Sequence, residues 1–180
     1  MAQRYGGKIV NDGLIFLLDP ANPRCFGSGE TTATDLVGGK TCSGANGSPG
    51  AGTPTPDTAR MPAYNSTNGG AFYFAGSDGI NVEGDLGSHS AVSYSLWFKA
   101  LDTGGKYFFD ARNDGGVWFL RNYSRINISS NNNLKYNFDA TFNGSTSVFL
   151  NTWMYMVATS NSSGTLLYLN GTEITQNPDF

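Results

Sequence analysis

A chain of 180 residues has the length of one domain with a core of ordinary size, which argues against a two-domain enzyme. Only 14% of it is Asp, Glu, Lys or Arg, below the roughly 25% of an average soluble protein, whereas it holds 24 glycines and 13% aromatics, the palette of strands and turns. The net charge of -3 leaves no basic surplus to follow a phosphate backbone, so nucleic acid is not an expected partner. The longest apolar stretches, residues 14–18 and 154–158, fall far short of the roughly 20 residues that span a bilayer, so membrane insertion is not expected either.

Residues 1–12 read as an N-terminal arm that carries charge but no apolar h-region, so a secretory leader is not expected there. Cys25 and Cys42 are too few for a disulfide framework and their spacing fits no zinc pattern; the reading is two separate thiols, with a single bridge as the alternative. The domain then runs over residues 13–180. Its first element is the continuous apolar run Leu14, Ile15, Phe16, Leu17 and Leu18, which predicts a strand buried on both faces. Residues 38–62 are Gly, Ser, Thr, Ala and Pro with hardly an apolar side chain. So poor a segment does not offset its own ordering entropy, and a long surface loop is expected.

Further strands are predicted at 71–74, 79–82, 92–100, 106–111, 116–121, 124–128, 134–138, 147–150, 153–159 and 165–169, a spacing that signals a sandwich or barrel. Over residues 92–99 the side-chain period of two puts Val92, Tyr94, Leu96 and Phe98 on one face, the core, and Ser93, Ser95, Trp97 and Lys99 on the other. Asn143-Gly144 and Asn170-Gly171 are read as two-residue hairpin turns, because a type I′ turn needs positive φ at both central positions.

Catalytic chemistry is not expected. His89, the only histidine, has no Cys or second His at ligand spacing and reads as an exposed turn residue. No Gly-x-Ser-x-Gly elbow joins a strand to a helix, and the Gly-rich stretch 44–52 lacks the Lys-Ser/Thr ending of a phosphate loop. The carboxylates closest in sequence, Glu83 and Asp85, flank Gly84 in what reads as a turn rather than a hydrolase strand. Asn-x-Ser/Thr triplets recur at Asn46, Asn65, Asn122, Asn127, Asn143, Asn161 and Asn170, as chance produces in so Asn- and Ser-rich a chain. What remains is an aromatic inventory of Trp97, Trp118, Tyr107, Tyr123 and Tyr155 on a polar background, suited to sugars or to protein partners. Trp153 is assigned to the core. Trp97 is the exception: with its neighbours Ser95 and Lys99 it lies opposite the core set, and these three are the candidate ligand-binding residues.

Asp12-Gly-Leu-Ile-Phe-Leu-Leu-Asp-Pro-Ala-Asn22, then residues 69–82, then Tyr94-Ser-Leu-Trp-Phe-Lys99, then residues 153–159 and Leu167-Tyr-Leu-Asn-Gly171 resemble, in order, the concanavalin A-like lectin/glucanase superfamily in its laminin G-like branch. The resemblance implies an all-β, antiparallel jelly-roll sandwich of two sheets. Residues 8–13 and 19–22 are most similar to virion structural proteins of tailed bacteriophages, cyanophages especially. The Glu-x-Asp-x-x-Glu strand of the glucanase branch has no counterpart here, so its activity is not carried over. Calcium is bound in lectin branches through paired acidic and Asn ligands; no segment matches such a set, and no cofactor or metal site is assigned. Members of the family also add a further strand or two after the Leu-Tyr-Leu-Asn-Gly hairpin, beside the N-terminal strand. Their lack before Phe180 implies an open edge along Leu14, Ile15, Phe16, Leu17 and Leu18 that pairs with a partner, or closure by residues beyond.

The leading expectation is a non-enzymatic virion component, as capsid decoration, fibre or tail-associated protein, whose jelly roll serves attachment. Its implied partners are other virion proteins, further copies of itself and a host-surface glycan, and its implied location is the extracellular particle after assembly in the host cytoplasm. The alternatives are the carbohydrate-binding lectin domain of a cellular adhesin and a degenerate glycosidase.

Overall fold

A computed structural model describes residues 12–27, 29–46, 55–75, 78–83, 86, 89–101, 106–110, 125–128, 133–138, 142–147, 150–161 and 163–174. The chain divides into two compact units, one of residues 1–48 and 54–86 and one of residues 49–53 and 87–180. Among the described residues there is no α-helix; every strand pairing is antiparallel.

The first unit holds β1 (Thr32–Thr34), β2 (Thr41–Asn46), β3 (Thr55–Pro56), β4 (Ala63–Asn65), β5 (Ala71–Tyr73) and β6 (Ile80–Val82). β2 is the hub, paired with β1, β3 and β6, while β4 and β5 form a separate hairpin. Its core is Cys25, Phe26, Ala33 and Cys42, with Phe16, Leu18, Met61 and Phe72 among the side chains packed on it.

The apolar run at 14–18 is not the predicted strand. Its residues are half-buried and belong to no sheet, with Phe16 and Leu18 turned onto the core. The reason is Asp35, a carboxylate only 1% exposed. Its Oδ1 accepts the N–H of Leu17 at 2.8 Å and of Val37 at 3.1 Å, and its Oδ2 accepts that of Gly38 at 2.7 Å. The Leu17 carbonyl in turn accepts the N–H of Leu36 at 3.0 Å. Both backbone groups of Leu17 are thus engaged within the unit, and the middle of the segment does not offer the free edge expected of it.

The expectation of a surface loop over 38–62 is also overturned, since β2 lies inside that range with Cys42, Ser43 and Gly44 buried. Small side chains here serve close backbone approach rather than solvation. The Asp57 N–H donates to the Gly44 carbonyl at 2.7 Å, and a Cβ on Gly44 would run into the backbone of Asp57, Arg60 and Met61.

The second unit holds β7 (Val92–Lys99), β8 (Lys106–Asp110), β9 (Arg125–Ile128), β10 (Asn133–Phe138), β11 (Phe142–Ser147), β12 (Trp153–Asn161), β13 (Gly164–Leu169) and β14 (Thr172–Ile174). They form two four-stranded sheets, in the orders β14-β13-β12-β7 and β11-β10-β9-β8. The core of the first sheet is Phe98, Met154, Met156, Ala158, Leu167 and Leu169, with Tyr94, Leu96, Ala100 and Ile174 packed against it. The predicted register of β7 holds: Tyr94, Leu96 and Phe98 face this core, Val92 is half-buried at its end, and Ser93, Ser95, Trp97 and Lys99 are exposed.

Asn170 and Gly171 form the predicted turn, with φ of 51° and 80°, and close β13 onto β14. Asn143-Gly144 does not turn. It lies within β11, Asn143 opposite Asn137 and Gly144 opposite Tyr136, because the pairing of Phe138 with Phe142 places the reversal before it. Of the strand expected at 147–150, Ser147 is the last residue of β11, Leu150 sits in a turn, and residues 148–149 lie outside the described residues. The strand expected at 116–121 lies outside the described residues.

Two predictions follow from the first unit. Gly44→Ala should lower the unfolding free energy by about 1–3 kcal/mol through overpacking, while Gly79→Ala, whose Cβ would meet only Ala45 Cβ at 3.4 Å, should cost far less; chemical denaturation of the two variants compares them. Cys25 and Cys42 are free and buried. Burial, then the charges of Asp35, Cys25 and Glu83, push the Cys42 thiol up to about 12, and burial raises Cys25 as well. Such a thiol keeps its proton in the folded state while the unfolded chain loses it above its ordinary value of 9.0. Stability should therefore be unaffected by Cys42 below that pH and fall as pH rises from there towards 12. The loss should be shallower in Cys42→Ala, as read from denaturation midpoints across the alkaline range.

Candidate functional site

On β12 the period of two decides what faces outward. Met154, Met156 and Ala158 are buried, so Trp153, Tyr155, Val157 and Thr159 point to the opposite side. The register with β7 sets Trp97 directly opposite Tyr155, Lys99 opposite Trp153, Ser95 opposite Val157 and Ser93 opposite Thr159. On the other side of β12, Tyr168 lies opposite Val157 and Leu166 opposite Thr159, and Glu173 of β14 lies opposite Tyr168.

The centre of this outward face is an aromatic pair. The rings of Trp97 and Tyr155 lie with centroids 5.0 Å apart and planes inclined by 33°. Trp97 is 66% exposed, and Trp153 and Leu166 are 39% and 45% exposed. The hairpin turn after β13 fixes the backbone of Tyr155: the Tyr155 N–H donates to Asn170 Oδ1 at 2.9 Å, and the Asn170 N–H donates to the Tyr155 carbonyl at 2.8 Å. Large rings held on rigid strands, with hydroxyls beside them, present an apolar surface with a polar border, which suits a ligand of mixed character such as a sugar ring.

Trp97, Ser95 and Lys99 are exposed on one face together, as the sequence pattern of β7 places them. The assignment of Trp153 to the core is corrected, since the buried Met154 beside it forces it outward. Tyr155 and Asn170 were not among the sequence-derived site residues. The alternation of Trp153 and Tyr155 with Met154 and Met156 held the signal for the first; the link from Asn170 to Tyr155 is long-range and had none.

The other sequence candidates are placed as follows among the described residues. Residues 14–18 lie in the first unit, as does Glu83, which is exposed just after β6, and Asp85 falls outside the described residues. His89, expected at an exposed turn, is half-buried. Among the described residues, no His, Cys, Asp or Glu side chains gather in a group of three that could hold a metal ion, and no helix is long and apolar enough to cross a membrane.

A family model described as the concanavalin A-like lectin/glucanases superfamily, of laminin G type, matches residues 61–180. The chain belongs to this superfamily. Searches of curated proteins and of solved structures find no match. The match contains all of β7–β14 and hence the whole outward face, whereas the segment at 12–22 precedes it. As a laminin G-type domain of the superfamily, the protein has the all-β, antiparallel architecture of a concanavalin A-like sandwich, one consistent with adhesion or carbohydrate binding.

The separation of the two faces has a measurable consequence. Leu167→Ala, at a fully buried position, should cost about 2–5 kcal/mol, whereas Trp97→Ala should cost less than about 1.5 kcal/mol, the worth of its contact with Tyr155. Urea titrations of both variants test this, and Trp97→Ala as costly as Leu167→Ala would show that the indole is needed for folding rather than free to bind.

Proposed function

We propose that this laminin G-type domain is a non-enzymatic attachment module that holds a glycan on the outward face of the β7-β12-β13 sheet. The observation that carries the reading is the Trp97–Tyr155 pair: the most exposed tryptophan of the described chain is stacked beside a second ring at 5.0 Å on a rigid strand pair, where neither ring is required by the core. Ser95 and Lys99 stand beside Trp97 on the same strand and would bond the hydroxyl rim of a bound sugar. The binding so described needs no metal ion, because stacking and hydroxyl contacts supply it.

The proposed setting is the virion of a tailed phage, as capsid decoration, fibre or tail-associated protein. Assembly would be in the host cytoplasm, with other virion proteins and further copies of the chain as partners, and the work would be done on the released particle against a host-surface glycan. The similarity of residues 8–13 and 19–22 to virion structural proteins supports this, as does a composition poor in charge and rich in Gly, Asn and Ser.

Two measurements test the reading. On an array of surface glycans the protein should retain at least one class, with Trp97→Ala lowering affinity by about tenfold or more and chelation of divalent cations changing nothing. Electron microscopy of purified particles with an antibody to the chain should place it on the particle exterior. An array without binding removes the glycan, and unlabelled particles remove the virion.

A further inference from the structure

The distribution of charge on the outward face narrows the ligand class. Along β12 and β13 its side chains, Trp153, Tyr155, Val157, Thr159, Leu166 and Tyr168, carry no charge, and along β7 Lys99 is the one charged group beside Ser93, Ser95 and Trp97. The two charges on the described face lie on the sheet's opposite edge strands and are of opposite sign: Lys99 on β7 and Glu173 on β14. Sulfated and uronate glycans are held by several converging Arg or Lys side chains, and this face offers one lysine at its border on a chain whose net charge is -3.

The shape of the face narrows it further. Trp97 projects from the sheet and is 66% exposed, and among the described residues no wall encloses a ligand there on all sides as a pocket for a single terminal sugar would. Trp153 and Tyr155 follow each other on one side of β12, roughly 7 Å apart along the strand, with Trp97 across from Tyr155 on β7. Rings placed in this way serve successive residues of one extended chain. From the uncharged centre, the opposed border charges and the open row of rings, we infer that the ligand is a neutral polysaccharide, bound along internal residues through the C–H faces of its sugar rings.

This inference rests on the glycan reading above, and the experiment separates the two. Wild-type protein, Trp97→Ala, Trp97→Phe and Lys99→Gln are titrated by calorimetry at low and high salt. The probes are neutral hexasaccharides of glucan, mannan, galactan and xylan type, their monosaccharides, and heparin and polygalacturonate fragments. Light scattering follows the oligomeric state, and circular dichroism confirms that each variant is folded.

The expected result is binding of at least one neutral hexasaccharide about tenfold or more above its monosaccharide, changed by less than about twofold by salt. It should be weakened about tenfold or more in Trp97→Ala, largely restored in Trp97→Phe, and weakened far less by Lys99→Gln, which removes the charge but keeps a hydrogen-bond donor for a sugar hydroxyl. Binding confined to the anionic fragments, lost in high salt yet still dependent on Trp97, would overturn the neutral class and leave the glycan reading standing. Equal affinity for hexasaccharide and monosaccharide would overturn the internal mode of binding. No binding of any glycan, binding indifferent to Trp97, or a dimer that Trp97→Ala dissociates would overturn the glycan reading and this inference with it, the last by assigning the face to a second copy of the chain.

Discussion

β12 is hydrogen-bonded on both sides, to β7 along Trp153–Ser160 and to β13 along Met156–Asn161, and this double pairing locks its register. A slip of a single residue would bring Trp153 and Tyr155 into the core and put Met154, Met156 and Ala158 in water. The burial of two methionines and an alanine on one side is thus the same fact as the exposure of two rings on the other. Packing of the core places Tyr155 across from Trp97, and the Asn170 side chain then holds the Tyr155 backbone at the end where β13 turns. The candidate site is a by-product of how the core closes.

In the first unit a buried carboxylate takes the organising role. Asp35 accepts three backbone N–H groups, from Leu17, Val37 and Gly38, and so joins an apolar segment with no sheet partner to the turn that leads into β2. A buried carboxylate is tolerated where its oxygens are met by donors in this way. The same carboxylate, lying near Cys25 and Cys42, opposes ionisation of both thiols, so the buried cysteines act as small apolar side chains.

What could be read from the sequence was whatever the period of two controls. The alternation in residues 92–99 gave the inner and outer faces of β7 and placed Trp97, Ser95 and Lys99 together, and Asn170-Gly171 gave its hairpin because local turn preference and long-range pairing agree there. The misreadings have one origin, a distant partner overriding a local pattern. Residues 14–18 look like a strand until Asp35 takes the Leu17 N–H, and 38–62 looks like a loop until Gly44 is seen against the backbone of residues 57–61. Asn143-Gly144 looks like a turn until Phe138 pairs with Phe142. Trp153 differs, because its own neighbours held the answer: a large ring at a strand start was assigned to the core where alternation with Met154 already put it outside.

A sheet with one side committed to packing and the other to solvent is under two separate evolutionary demands. Inner positions such as Met156 and Leu167 are constrained by volume, and few replacements preserve the fold. Outer positions such as Ser95, Trp97, Lys99 and Leu166 carry little of that burden, so their chemistry can be exchanged almost freely. Descendants of such a domain can therefore move from one surface target to another by substitutions on β7, β12 and β13 alone, keeping pace with a changing counterpart while the framework stays as it is.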